Sequence, residues 1–243
     1  MRKHRRTQSA RQRNDPPSGK KSVVLLSGGI DSVTTLYMAK KYGFRVRALL
    51  FDYRQRHKKE LSCAARICRL IRIPYEVIRI ALPWAGSSLT KRSVPVPRDR
   101  DLKEKRIPST YVPGRNVIFL SYAFSYAESI GAKTVFLGAH VQDYSGYPDC
   151  RPEFLRAFQQ AANLGLSRRG IEIVAPLLDK SKKEIIKLGM RLGVPYEHTW
   201  SCYQGGEVPC GRCDSCRYRV RAFQELGYTD PLMKPDEKKK ERK

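Results

Sequence analysis

No apolar run in this 243-residue chain is long enough to span a membrane, because a helical span needs about 20 residues of low polarity. The basic opening stretch is not followed by an apolar core either. Neither an anchor nor a secretory signal is read, and a cytoplasmic location is expected. Internal repeats are missing, which excludes a solenoid or propeller. Acidic residues are scarce: 23 Asp and Glu stand against 48 Lys and Arg, a formal net charge of +25. Such a balance suits a nucleotide or nucleic-acid partner. Residues 1–21 hold eight Lys or Arg against one Asp, and residues 231–243 hold six against three acids. More than half of the excess therefore lies on the body between them. The head has almost no apolar residues and reads as a disordered, solvated tail, with an electrostatic arm for RNA as the alternative.

What the chain does have is alternation. Val23–Leu26 is a β-branched apolar run of the kind that forms a buried strand, and Thr34–Lys41 turns amphipathic with a basic end, as a helix does. Further strands are expected at 45–51, 75–80, 134–137 and 171–174, and helices at 58–72, 117–130, 154–166, 182–192 and 214–226. Ser181 and Glu184 have the spacing of a capping box. Alternating strands and helices imply an α/β fold, a Rossmann-like doubly wound parallel sheet with helices on both faces, whose ligands sit beyond the carboxyl ends of the strands. The organisation expected is a tail over 1–21, a catalytic domain over 22–195, a small metal-binding segment over 196–229 and a basic tail over 230–243. Residues 81–116 carry Pro83, Pro95, Pro97, Pro108 and Pro113 with little periodicity, and so read as a long loop, either a lid or disordered.

The first strand runs into "LSGGIDSVT". Two common phosphate-binding spellings are absent: there is no G-x-x-x-x-G-K-[ST] and no G-x-G-x-x-G around these glycines. A strand–glycine turn–helix unit still presents backbone N–H groups and a positive helix end to an anion. An ordinary βα turn is the plain alternative. The pattern S-G-G-x-D-S resembles the PP-loop of ATP pyrophosphatases, which cleave ATP between its α- and β-phosphates. That resemblance implies an ATP site along Leu26, Ser27, Gly28, Gly29, Ile30, Asp31, Ser32, Val33, Thr34, Thr35 and Leu36. Ser27 and Ser32 would hold the leaving pyrophosphate, and Asp31 would help to hold Mg2+.

Seven cysteines occur, and four fall in "SCYQGGEVPCGRCDSC" at Cys202, Cys210, Cys213 and Cys216. C-x7-C-x2-C-x2-C around glycines is a metal-ligand spacing, and a closed four-thiolate site is structural. Zn2+ is the favoured metal; an iron–sulfur cluster is its rival. His198 stands just upstream but is not needed once four thiolates are present. Cys63 and Cys68 do not share a helix face and read as ordinary core thiols.

"FDYRQRHKKE", "YVPGRN", "DYSGYPDCRPEF" and "TWSCY" together with the cysteines resemble the 7-cyano-7-deazaguanine synthase family, from about Val23 to Leu226. The resemblance implies an enzyme that uses ATP and ammonia to turn 7-carboxy-7-deazaguanine into its nitrile, a precursor of queuosine or archaeosine, with AMP and pyrophosphate as expected products. It also implies a homodimer. Nucleic acid is not required, though the basic tails allow weak contact with it. Within that reading, a carboxylate suits the adjacent donors of a deazaguanine, and Asp149 is the choice with Asp143 second. Tyr144 or Tyr147 would stack on the base. Arg151 and Arg115 would meet the substrate carboxylate or the phosphates. Lys182 would reach the phosphates, and Asp52, with Gln55, Arg56 and His57 beside it, lies where adenosine is expected. His140 is either a proton shuttle or a hydrogen-bonded structural residue. One departure is Arg54, which stands where the family pattern calls for glycine. The alternatives are an enzyme adenylating a base in tRNA itself, or an RNA-binding protein with a non-catalytic ATP site.

Overall fold

The β-branched runs and amphipathic stretches assemble as five strands and six main helices in a computed structural model that describes residues 19–83, 86–102, 106–140 and 147–233. Asp143, Tyr144 and most of both tails lie outside the described residues. The strands are β1 (Lys21–Leu25), β2 (Arg45–Asp52), β3 (Tyr75–Arg79), β4 (Thr134–Phe136) and β5 (Glu172–Val174), all parallel, in the order β3-β2-β1-β4-β5. The sheet grows from β1 in both directions, so β1 and β4 flank the point where the chain reverses. Val23 sits opposite Arg47 on one side and Val135 on the other. That reversal opens a crevice at the carboxyl ends of β1 and β4.

The helices are α1 (Ile30–Lys41), α2 (Lys58–Leu70), α3 (Arg115–Ile130), α4 (Pro152–Leu164), α5 (Lys182–Arg191) and α6 (Asp214–Gln224). Successive strand residues point to opposite faces, and two cores result. Val24, Ala48 and Leu50 bury against α1, α2, α5 and α6 through Leu36, Ile67, Ile185 and Phe223. Val23, Leu25, Leu49 and Phe51 bury against α3 and α4 through Leu120, Phe124 and Leu155. Each fully buried aliphatic or aromatic side chain contributes about 1.5–3 kcal/mol. The capping box at the start of α5 is formed in both directions: Glu184 N–H donates to Ser181 Oγ at 3.3 Å, and Ser181 N–H donates to Glu184 Oε2 at 2.8 Å.

One boundary and one environment differ from the reading of the chain, and the Cys68 reading holds. Helix α1 starts at Ile30 rather than Thr34, which places Asp31 and Ser32 in its first turn. The composition there reads as a turn, but Ile30 and Val33 are buried in the core and draw the helix back. Cys68 is a core thiol that burial pushes up to about 12, so it is inert at neutral pH. Cys63 instead packs beside Trp200 and the cysteine cluster.

The described parts of the 81–116 loop are irregular yet packed. Leu82, Leu89, Val96 and Val112 are buried. The Arg56 guanidinium donates to the carbonyls of Lys91, Arg92 and Val94 at 3.1, 2.8 and 3.0 Å. Farther along, Arg100 pairs with Asp214 and Tyr218 donates to the Leu102 carbonyl. Buried backbone without a ladder needs such partners, and here side chains supply them.

The C-terminal segment is fastened by Arg219, a buried residue on α6. It pairs with Asp230 at 2.8 Å and donates to Thr199 Oγ1 at 2.7 Å and the Tyr196 carbonyl at 2.9 Å. Removing one member of a buried pair strands the other charge. Asp230→Ala is therefore expected to lower the unfolding free energy by about 3–5 kcal/mol. Denaturant unfolding measures it, and a change below about 1 kcal/mol would show that the pair does not hold the segment.

Candidate active site

The turn after β1 is built for close approach. Gly28 has φ +93, and a Cβ there would overlap the Glu60 carbonyl and lie 2.8 Å from the Ala64 nitrogen on α2. Gly138, just past β4, is as confined: a Cβ would lie 2.9 Å from the Ser32 nitrogen. Both strands thus press on the first turn of α1. Gly29 is the N-cap and has no side chain to satisfy that turn, so its leading N–H groups are left for something else. The two serine hydroxyls gather the remaining donors. Ser27 and Gly28 N–H groups reach Ser32 Oγ at 3.2 and 3.3 Å, Gly29 N–H reaches Ser27 Oγ at 3.2 Å, and the hydroxyls lie 3.1 Å apart. This is a small cradle of donors with a positive helix end behind it.

Asp31 leads out of the cradle. Lys182, first residue of α5, donates to both of its oxygens at 2.7 Å, and His140 Nε2 lies 3.5 Å from Oδ2 and 2.9 Å from the lysine nitrogen. Burial works against ionisation of Asp31, but the Lys182 ammonium and then His140 outweigh it and hold the carboxyl well below the usual carboxylate range. His140 therefore has the hydrogen-bonded position.

The cradle opens into a cavity walled by Phe51, Tyr53 and Phe119 on one side and by Trp200, Ser201 and Tyr203 on another. Phe119 stacks on Phe51 at 4.0 Å, and the Arg115 guanidinium, at the start of α3, lies 5.7 Å from the Tyr53 ring while donating to its hydroxyl at 3.1 Å. Tyr147 lines the cavity with its hydroxyl 2.9 Å from Thr110 Oγ1. Flat aromatic surface beside a fixed cation suits a planar, anionic ligand.

Of the residues expected in the site, the structure brings Leu26, Ser27, Gly29, Ile30, Asp31, Ser32, Arg115, Tyr147 and Lys182 onto the cavity wall. Gly28 packs on α2, while Val33, Thr34, Thr35 and Leu36 are buried beneath the loop. Asp149 is buried and caps α3, its Oδ2 accepting from Asn116 N–H at 2.9 Å. Asp52 lies at the end of β2, its Oδ1 accepting from Arg54 N–H at 3.1 Å, and Arg151 is exposed before α4. None of Asp149, Asp52 and Arg151 is on the wall itself. Arg54 has φ +61, so the glycine-like turn is kept by an arginine in the left-handed region, steadied by Asp52. The wall also takes Tyr53, Glu60, Phe119, Trp200, Ser215 and Arg219. Tyr53, Glu60, Trp200 and Ser215 fall inside the quoted motifs, whereas Phe119 and Arg219 read only as helix residues.

The four sulfurs of Cys202, Cys210, Cys213 and Cys216 lie within 4.8 Å of one another. Cys210 N–H points to Cys202 Sγ and Cys213 N–H to Cys210 Sγ, each at 3.3 Å. N–H groups aimed at sulfur are what thiolates on a metal need, so the donor set fits a metal ion.

A five-stranded parallel sheet with S-G-G-x-D-S at its reversal point defines a PP-loop protein of the α/β class. The chain belongs to the queuosine biosynthesis protein QueC family, whose model matches residues 21–227. It is 53% identical over 222 residues to the 7-cyano-7-deazaguanine synthase of Trichodesmium erythraeum, covering 88% of this chain and 100% of that one. The Clostridium kluyveri protein of the same name is 51% identical, with 90% and 100% covered, and that of Thermoplasma acidophilum is 48% identical, with 88% and 91% covered.

A carboxyl held low in the folded state contributes its full stability above the unfolded pKa, about 4, and loses it as pH falls below that. Asp31→Asn is accordingly expected to flatten the fall in unfolding free energy below about pH 5. Denaturant titrations across that range check this; parallel profiles for both proteins would mean that the Asp31 charge is not coupled to folding.

Proposed function

We propose that the chain is an ATP-dependent ligase that converts 7-carboxy-7-deazaguanine and ammonia into 7-cyano-7-deazaguanine. The observation that carries this reading is the meeting of the S-G-G-x-D-S cradle, Lys182, Arg115 and an aromatic wall in one cavity, in a chain whose relatives bear that name.

A carboxylate is a poor electrophile because oxide is a poor leaving group. Transfer of AMP from ATP to the carboxylate oxygen supplies a good one, ammonia attacks the carbon, and the amide forms. A second adenylation, on the amide oxygen, allows elimination to the nitrile. The two activations are the same step, so one site serves both. Ser27 and Ser32 hydroxyls with the turn's N–H groups would hold the pyrophosphate as it leaves. Lys182, moving between Asp31 and the phosphates, would follow the charge. Mg2+ supplies further neutralisation when bound, and Asp31 is the carboxylate of the loop that would hold it. Arg115 would orient the substrate carboxylate, and Tyr147 would face the base. Asp149 or Asp143 would accept from its ring and amino donors; Asp149 lies off the cavity wall as the cap of α3, and it would have to leave Asn116 N–H to do so. The enclosing walls keep water from the acyl adenylate. No helix among the described residues is long and apolar enough to cross a membrane, and a cytoplasmic homodimer is the setting proposed.

Zinc is the ion assigned to Cys202, Cys210, Cys213 and Cys216. It would be structural there, since four thiolates leave no open position. Metal analysis is expected to find one zinc per chain, lost in Cys213→Ser; iron with a visible charge-transfer band would favour a cluster instead. The reaction itself is tested by incubating the protein with 7-carboxy-7-deazaguanine, ammonium, Mg2+ and ATP and following products by mass spectrometry. Two AMP per nitrile are expected, and Lys182→Ala should slow the reaction by about 100-fold or more. Adenylation of an added tRNA without any nitrile would overturn the reading.

A further inference from the structure

We infer that the corner of the cavity beside Gly29 is the site that takes ammonium, formed by Glu60 Oε1, Ser27 Oγ and the Trp200 carbonyl; the inference rests on the ligase reading above. Gly29 has no side chain, and the place a Cβ would occupy is ringed by oxygen. Glu60 Oε1 lies 3.3 Å from that point, Ser27 Oγ 3.4 Å and the Trp200 carbonyl oxygen 3.6 Å. All four residues line the cavity, with Ser27 exposed and Gly29 and Glu60 half-buried. Three separate parts of the chain meet here. Ser27 belongs to the turn after β1, Glu60 to the first turn of α2, and Trp200 to the cysteine segment, where its N–H on the Gly28 carbonyl fixes the backbone.

Glu60 is held by its other oxygen, since Oε2 lies 2.9 Å from His57 Nε2. Among the described residues no donor meets Oε1, and that oxygen is open to the cavity. The cations nearby are engaged elsewhere. Lys182 is at Asp31, Arg115 at the Tyr53 hydroxyl and Arg219 at Asp230, while Lys59 reaches the Glu207 carbonyl. Tyr203, whose ring centre is 5.8 Å from that of His57, lines the same side of the site and brings no cation. Asp31, the other carboxylate of the wall, has both oxygens taken by Lys182. The open carboxylate oxygen thus stands beside the phosphate cradle with no protein charge to meet it.

Three converging acceptors and one negative charge select a small cation that is itself a donor. Ammonium carries four N–H groups in a tetrahedron. Three meet the three oxygens, at the spacing of about 2.9 Å normal for N–H···O contacts, and the fourth points into the cavity. When that proton leaves to solvent, a lone pair faces the acyl carbon of the adenylate. Ammonia then attacks, the C–O bond to AMP breaks, and the nitrogen gives one more proton to solvent as the amide forms. Mg2+ would need about six oxygens at about 2.1 Å, a tighter shell than this corner gathers. The positive end of α1 opposes a cation, but the Glu60 charge and the phosphates in the cradle reverse the sign there. Ammonium therefore binds after ATP. The Ser27 hydroxyl serves both neighbours, donating to phosphate and accepting from ammonium.

The test uses the full chain with its metal as isolated. Glu60→Gln keeps the size of the side chain and removes its charge. The KM for ammonium in nitrile formation is expected to rise by about tenfold to 100-fold, with the KM for ATP changed by less than about twofold. Hydroxylamine, a nitrogen nucleophile that is uncharged near neutral pH, should capture the acyl adenylate as a hydroxamate equally well with both proteins. In the wild-type protein rubidium ions, close to ammonium in charge and size, should raise the KM for ammonium and leave hydroxamate formation unchanged; if Glu60→Gln does not fold, this competition decides alone. An unchanged KM for ammonium, a parallel loss of nitrile and hydroxamate, or a raised Mg2+ requirement in place of a raised ammonium requirement overturns the site while leaving the ligase reading intact. A wild-type protein that forms neither nitrile nor hydroxamate overturns the ligase reading and, with it, this inference.

Discussion

The whole arrangement depends on a turn with no room around it. At Gly28 the backbone runs against α2, and at Gly138 the end of β4 runs against Ser32, in each case so closely that a single methyl group would not fit. Close-packed interiors do not yield to such intrusions. The cradle's geometry is thus set from outside, by a strand on one side and a helix on the other. Its own contribution is two glycines and two hydroxyls. Rigidity of this kind suits phosphate chemistry, where preorganised donors do most of the work.

The cysteine segment completes the site from the far end of the chain. Trp200 N–H donates to the Gly28 carbonyl at 2.9 Å, and Arg219 both lines the cavity and anchors the last helix. A metal at the four sulfurs would therefore act on the active site only by fixing backbone. The 81–116 loop is held in the same manner, by Arg56 on one side and by contacts to Asp214 and Tyr218 on the other. Segments that carry no regular ladder are kept in place by guanidinium groups, and this accounts for part of the chain's large positive charge.

Much of this was legible in the residues themselves. The strand order was not, but alternation of short apolar runs with amphipathic helices pointed to a parallel sheet, and Ser181–Glu184 marked the start of α5. The phosphate turn and the cysteine spacing announced their chemistry because each needs particular residue types at fixed intervals. What stayed hidden depends on distant packing. Ile30 and Val33 pull the start of α1 into a stretch whose serines and aspartate favour a turn. Asp149 sits under α3 as a cap, a role that no local spacing announces. Phe119 and Arg219 read as ordinary helix residues because only the three-dimensional crevice shows which of their faces meets a ligand. Arg54 kept a turn that local rules reserve for glycine, with Asp52 bearing part of the strain.

The order in which the chain is made adds a consequence. The phosphate turn lies near the start of the described residues, whereas Trp200, Tyr203, Ser215 and Arg219 come in the last fifth of the chain. A polypeptide still leaving the ribosome thus owns the cradle long before it owns a closed chamber. Until the final helix is made, the cradle remains open to water on one side. Synthesis from N- to C-terminus therefore leaves the closing of the chamber to the last elements made.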